Sequence, residues 1–169
     1  MTDSALFELS KQVGKALGQL GATLTTAESC TGGWIAKVIT DVPGSSAWFE
    51  RGFVTYSNEA KQQLIGVSPQ MLEAYGAVSE GVVREMAQGV LAAAQADYAV
   101  SVSGIAGPDG GSEEKPVGTV WFGFASRQGA TIAKVQRFDG DREAVRRQAT
   151  EFALQILWDD FLKNKLDTV

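Results

Sequence analysis

Over its first hundred residues this chain separates its strand-like segments with helical segments rather than tight turns, and that spacing constrains the fold more than any other feature. Leu6, Leu9, Val13, Leu17 and Leu20 recur at helical spacing and predict a helix from about Ser4 to Leu20, stopped by Gly21. Ala22 to Thr26 reads as a short strand. The turn Glu28-Ser29-Cys30-Thr31-Gly32-Gly33 then leads into a helical pattern from about Trp34 to Ile39. Pro43-Gly44-Ser45-Ser46 is a turn, and the aromatic and β-branched stretch Trp48 to Tyr56 predicts a second strand. Asn58 is the expected N-cap of a helix through about Leu64. Ser68-Pro69 starts a short helix, and Ser79 a longer one through Val83, Met86, Val90 and Leu91. Tyr98 to Val102 is a third strand. Beyond a loop from Ser103 to Pro116 the pattern changes: Val117 to Ala125 and Thr131 to Phe138 are strands joined closely through Gly129, and Asp141 caps a last helix to about Leu162.

Helices between the first three strands suit parallel crossovers, whereas the late pair suits an antiparallel hairpin. The expectation is an α/β fold: a three-layer α/β/α single domain with a mixed, roughly five-stranded sheet. A chain of 169 residues suits one such core. Ligands in sheets of this kind sit outside the carboxyl ends of the strands. Three turns fall there: Ser29 after the first strand, Tyr56 to Lys61 after the second, and Ser103 to Gly111 after the third.

The chain contains no histidine and one cysteine, Cys30. That removes the Ser-His-Asp triad, the Cys-His pair and every zinc site built on histidine or several cysteines. Neither metal nor other cofactor is expected, and any acid–base catalyst must be Lys, Asp, Glu, Tyr or Cys. A lone cysteine forms no internal disulfide, which fits a reducing cytoplasm. The formal net charge of -5 argues against a broad nucleic-acid or anionic-membrane surface. The N-terminus lacks a signal-peptide pattern, and no apolar run approaches the roughly 20 residues of a membrane span.

Ser29 lies between a strand and a helix, where free N–H groups favour negative charge and could hold an oxyanion. A plain N-capping role accounts for its position as well. Lys61, near the start of its helix, faces the positive end of the helix dipole, and it is expected to be partly buried; both lower a lysine pKa and suit a general base. A solvated helix lysine is the simpler account of that residue alone. Without histidine, however, a serine hydrolase needs another base, and Ser-Lys pairing is an established solution. Tyr56 at the same rim could relay a proton or orient Lys61, or serve only in packing. Cys30, at a helix start, is a rival nucleophile or a small buried hydrophobe.

The loop Ser103-Gly104-Ile105-Ala106-Gly107-Pro108-Asp109-Gly110-Gly111 is the densest glycine cluster. Such a loop can aim backbone N–H groups at a phosphate, although it matches neither the Walker pattern nor G-x-G-x-x-G. Lys115 could add charge there. Arg142, Arg146 and Arg147 could reach a phosphate, or form a solvated basic face.

The segments AESCTGG, PGSSAWFERGFVTYSNEAK, GAVSE and SGIAGPDGGSEEKPVGTV, in this order and spacing, resemble the C-terminal domain family of the competence/damage-inducible protein CinA. The match is nearest to its stand-alone members, bacterial nicotinamide-nucleotide amidohydrolases, and spans nearly the whole chain. The resemblance implies a three-layer α/β/α domain that hydrolyses the carboxamide of nicotinamide mononucleotide without a metal. It implies Ser29 as nucleophile and Lys61 as base, with Tyr56 nearby. An oxyanion would be held by N–H groups around Cys30, Thr31, Gly32 and Gly33. The substrate's phosphate would be held by the Gly104 to Gly111 loop, with Arg142. Ser103 stands where threonine is expected in many relatives; a hydroxyl is kept. A homo-oligomer is expected. The alternative is a non-catalytic nucleotide-binding or interaction module of a competence or DNA-damage system, since the family domain also occurs fused to another.

Overall fold

A computed structural model describes residues 1–166. Helix α1 (Asp3–Leu20) is capped by the Thr2 hydroxyl and ends on Gly21 in the left-handed conformation. It leads into β1 (Leu24–Glu28), α2 (Trp34–Thr40), β2 (Phe53–Val54), α3 (Asn58–Ile65), α4 (Pro69–Tyr75), α5 (Glu80–Ala94) and β3 (Tyr98–Gly104). The antiparallel strands β4 (Thr119–Ser126) and β5 (Ile132–Arg137) follow, then α6 (Arg142–Ile156). The chain continues beyond α6 as a π-helical turn (Leu157–Leu162) and α7 (Lys163–Leu166). Among the described residues, five strands form one mixed sheet in the order β2-β1-β3-β4-β5. β1 runs parallel to β2 and β3, and β4 is antiparallel to both β3 and β5. The expected fold class is therefore the observed one.

One face of the sheet packs on α1, α2 and α6. Leu6, Leu17, Ile35, Val145 and Leu154 bury against Leu24, Val100, Val102 and Phe122. The other face packs on α5, with α3 and α4 outside it. There the strands present small residues, Ala27, Ala99, Ser101, Gly123 and Ala125, which let α5 approach closely. The Ser101 hydroxyl donates to the Val83 carbonyl (2.6 Å), and a Cβ on Gly123 would lie 2.3 Å from that same oxygen. Two apolar layers, each removed from water, are the main stabilising contribution.

Several elements depart from the sequence reading: β3 runs on to Gly104, which takes Ser103 and Gly104 out of the expected loop, β4 starts at Thr119, and the last helix gives way to a π-helical turn after Ile156. β1 ends on Glu28, two residues later than expected, so Ser29 follows the strand directly. The predicted strand over Trp48 to Tyr56 shrinks to Phe53–Val54. Its aromatic residues are used in packing: the Trp48 indole lies against Gly14 of α1, where a Cβ would come within 2.5 Å, and Phe49 is buried. Tertiary packing has overridden β-propensity there. The N-cap of α3 is Ser57, not Asn58; its hydroxyl accepts from the Ala60 N–H (3.0 Å).

The chain leaves β1 towards β2 on one side and returns to β3 on the other. That reversal is a topological switch point, and it opens a crevice at the carboxyl ends of β1 and β3. Among the described residues, no helix is long and apolar enough to cross a membrane.

Candidate active site

At that switch point, the Ser29 N–H donates to the Val102 carbonyl (3.0 Å), extending the β1–β3 pairing by one residue. The Ser29 carbonyl accepts from the Gly32 N–H (3.0 Å), so Ser29 opens a tight turn ahead of α2. Lys61 reaches it from α3. The Lys61 Nζ lies 3.0 Å from Ser29 Oγ, 2.8 Å from the Thr55 carbonyl and 3.3 Å from the Tyr56 carbonyl. Its side chain is only 1% exposed. Burial lowers the Lys61 pKa from the ordinary 10.5 to about 8. The cause is desolvation, since the Ser57 cap moves Lys61 to the fourth helical position, away from the exposed N-terminal donors.

These three contacts have a chemical consequence. The two carbonyls can accept only N–H bonds, so they take two of the amine's protons. The remaining tetrahedral position faces Ser29. It holds an N–H when the lysine is charged and a lone pair when it is neutral. In the neutral state the Ser29 hydroxyl can donate to that lone pair, which is the arrangement a general base requires.

Glu28, immediately before the nucleophile candidate, is 1% exposed and was not singled out by sequence reasoning. Its carboxylate accepts from the Thr31 hydroxyl (2.6 Å) and from the N–H groups of Ile35 (2.8 Å) and Ala36 (3.0 Å). It therefore closes the start of α2 and ties the Ser29 turn to that helix. Burial raises its pKa, against the lowering effect of these donors. Burial, with the Glu28 charge second, pushes the Cys30 thiol up to about 12. Cys30 is thus a buried, protonated thiol rather than an activated nucleophile.

Ser29, Cys30, Tyr56, Lys61, Ser103, Gly104, Ala106 and Arg142 line one cavity of about 210 Å³. Asn58, Ala77 and Val78 complete its wall; the last two belong to the GAVSE segment, whose role was not legible from residue type. Tyr56 is 60% exposed, and its phenol accepts from Arg142 Nη2 (3.0 Å) while Arg142 Nη1 donates to the Gly107 carbonyl (2.9 Å). Tyr56 meets Lys61 through its carbonyl, not its hydroxyl.

The remaining expected site residues do not line the cavity. The Ile105 N–H is taken by the Thr119 carbonyl (2.9 Å), so it cannot serve a phosphate. Gly111 packs on the backbone of Val117, and Gly107 and Gly110 shape the loop at positive φ. Lys115 turns away, its Nζ donating to the Tyr75 carbonyl (2.5 Å). Thr31, Gly32 and Gly33 face a separate groove with Trp34, Lys37, Arg146 and Arg147. The Gly32 N–H is spent on Ser29, and that of Gly33 faces Glu28. Among the described residues, the N–H groups of Cys30 and Thr31 are the two of this turn left with neither a backbone nor a carboxylate acceptor. No group of three or more Cys, Asp or Glu among the described residues could hold a metal ion.

Residues 6–161 match the profile of the CinA C-terminal domain. The chain belongs to this family. Among CinA-domain relatives, the nicotinamide-nucleotide amidohydrolase PncC of Escherichia coli (strain K12) is 71% identical over 164 residues, covering 97% of this chain and 99% of the relative. A putative competence-damage inducible protein of Symbiobacterium thermophilum is 55% identical over 157 residues, but these make up only 37% of its length. The crystal structure of competence damage-inducible protein A from Klebsiella pneumoniae superposes with a TM-score of 0.89 at 44% identity, covering 92% of this chain and 96% of that one. The CinA domain thus makes up almost the whole of some relatives and only part of other, longer ones.

Proposed function

We propose that this chain hydrolyses the carboxamide of nicotinamide mononucleotide to nicotinic acid mononucleotide and ammonia, with Ser29 as nucleophile and Lys61 as base. The observation that carries this reading is the buried Lys61 amine, 3.0 Å from Ser29 Oγ with two backbone carbonyls on its other protons. The names of its nearly full-length relatives supply the substrate.

Neutral Lys61 takes the Ser29 proton as Oγ attacks the carboxamide carbon. The negative charge that develops on the carboxamide oxygen is met by the Cys30 and Thr31 N–H groups. Lys61 then gives its proton to the departing nitrogen, the C–N bond breaks, and ammonia leaves an ester on Ser29. Water adds to that ester, passes a proton to Lys61, and the acid is released as Ser29 recovers its hydroxyl. Arg142, the cation on the cavity wall with Ser103 and Gly104, is the partner for the phosphate.

The test is ammonia release from nicotinamide, nicotinamide mononucleotide and NAD in parallel. Release from the mononucleotide, with little from nicotinamide, supports the reading. Equal release from free nicotinamide removes the phosphate from recognition, and no release from any of the three overturns the proposed activity.

A further inference from the structure

Resting on the Ser29–Lys61 reading, the geometry points to Arg146 as a positioning residue that holds the Thr31 N–H in place as one of the two oxyanion donors. Arg146 sits on α6, over a hundred residues along the chain from the turn it touches. Its Nε donates to the Cys30 carbonyl (3.0 Å) and its Nη2 to the Thr31 carbonyl (3.3 Å). Its guanidinium carbon lies 5.9 Å from the centre of the Trp34 ring, so an aromatic face also holds it. A Cβ on Gly32 would stand 3.0 Å from Nη2, so the turn passes close beneath the guanidinium.

The carbonyl and N–H of a trans peptide point in opposite directions. The Thr31 N–H shares its peptide plane with the Cys30 carbonyl, which Arg146 fixes. The Cys30 N–H shares its plane with the Ser29 carbonyl, which the Gly32 N–H fixes. Both donors are thus aimed by locking the oxygen on the far side of their own peptide. Arg146 lines the groove behind the turn, whereas Ser29 and Cys30 line the reaction cavity. Its pull on the Cys30 oxygen therefore directs the Thr31 N–H away from that groove. Without Arg146 the Cys30–Thr31 peptide loses the bond that sets its orientation, as nothing else among the described residues bonds the Cys30 carbonyl. Arg146 meets neither Lys61 nor the cavity, so it acts through the turn and not on the substrate.

The experiment compares Arg146→Ala, Arg146→Lys and Arg147→Ala with wild type in steady-state ammonia release from nicotinamide mononucleotide. Arg147 shares the Trp34 ring, 4.9 Å from its centre, but bonds Asp3 instead of the turn (2.6 Å), and it is the control. Misalignment of one oxyanion donor predicts a kcat loss of about 10- to 100-fold in Arg146→Ala, with KM within about threefold of wild type. Arg146→Lys, whose single shorter-reaching nitrogen replaces the two-nitrogen fork of the guanidinium, falls between, and Arg147→Ala keeps kcat. Millimolar guanidinium chloride partly restores kcat to Arg146→Ala, whereas equal sodium chloride does not. Unchanged kcat in Arg146→Ala, whatever its melting temperature, overturns the inference. A rise in KM at constant kcat overturns it too, because that marks contact with substrate. Should Arg146→Ala fail to fold, a wild-type kcat in Arg146→Lys overturns it, and a reduced kcat in a folded Arg146→Lys supports it. Lack of turnover by the wild-type protein would count instead against the proposed activity itself.

Discussion

Lys61 offers a prediction whose size follows from its burial. A lysine of pKa 10.5 is neutral in about one molecule in three thousand at pH 7, whereas one of pKa about 8 is neutral in about one in eleven. Burial thus enlarges the population able to accept the Ser29 proton by about 300-fold. Because the base must be neutral in the free protein, kcat/KM should rise tenfold per pH unit below about pH 8 and level off above it. The same shift has a stability consequence of definite sign. The unfolded chain binds a proton at Lys61 between about pH 8 and 10.5, where the folded chain does not, so folding gains stability as pH rises through that window. A Lys61→Met variant lacks that rise. Lys61→Arg keeps a cation that stays protonated, so its kcat should fall about 100- to 10,000-fold, close to that of Lys61→Ala. The assays are a pH series of ammonia release and a pH series of thermal melts. A flat kcat/KM between about pH 6 and 9, or Lys61→Arg with near wild-type kcat, would refute the assignment of the base.

Cys30→Ala should keep most activity in the ammonia assay, since burial holds that thiol protonated to about pH 12; loss of turnover would revive the thiol as nucleophile. Exhaustive chelation should leave activity intact, and loss restored by a divalent ion would overturn the metal-free mechanism. Gly89 of α5 faces the Ile65 carbonyl at the end of α3, where a Cβ would come within 1.9 Å. Gly89→Ala should therefore cost about 1–3 kcal/mol in denaturant unfolding, and by pushing away the helix that carries Lys61 it should lower kcat as well.

Much of the architecture was legible because it rests on patterns that repeat. The 3.6-residue spacing of α1 and α5 and the change from crossovers to a hairpin after β3 specify the mixed sheet. The absence of histidine left Lys, Asp, Glu, Tyr or Cys as the acid–base group, and the resemblance to the CinA family singled out Ser29 and Lys61 among them. What was not legible depends on three-dimensional partners. Trp48 reads as a strand residue by type, and only its seat on Gly14 removes it from the sheet. Glu28 reads only as a turn residue because its partners, the first N–H groups of α2, become available only once the strand–turn–helix connection has formed. The depressed pKa of Lys61 was anticipated from its place near a helix start and from partial burial; burial beneath the Thr55 and Tyr56 carbonyls is its source, and the helix start is not. The glycine loop after β3 gave its position but not its donors, because Ile105 spends its N–H on the Thr119 carbonyl at the start of β4. Arg146 could be told from Arg142 and Arg147 only by its two carbonyl acceptors, which lie over a hundred residues away in sequence.

The central claim is that Ser29 is the nucleophile of an amide hydrolysis, and the rate of ammonia release from nicotinamide mononucleotide by Ser29→Ala tests it most directly. The substitution removes one oxygen from a site already 8% exposed, so the melting temperature should change little. With the Lys61 amine, the Cys30 and Thr31 donors and Arg142 all still present, kcat should fall by about a thousandfold or more. A folded Ser29→Ala variant that releases ammonia within tenfold of the wild-type rate would contradict the account.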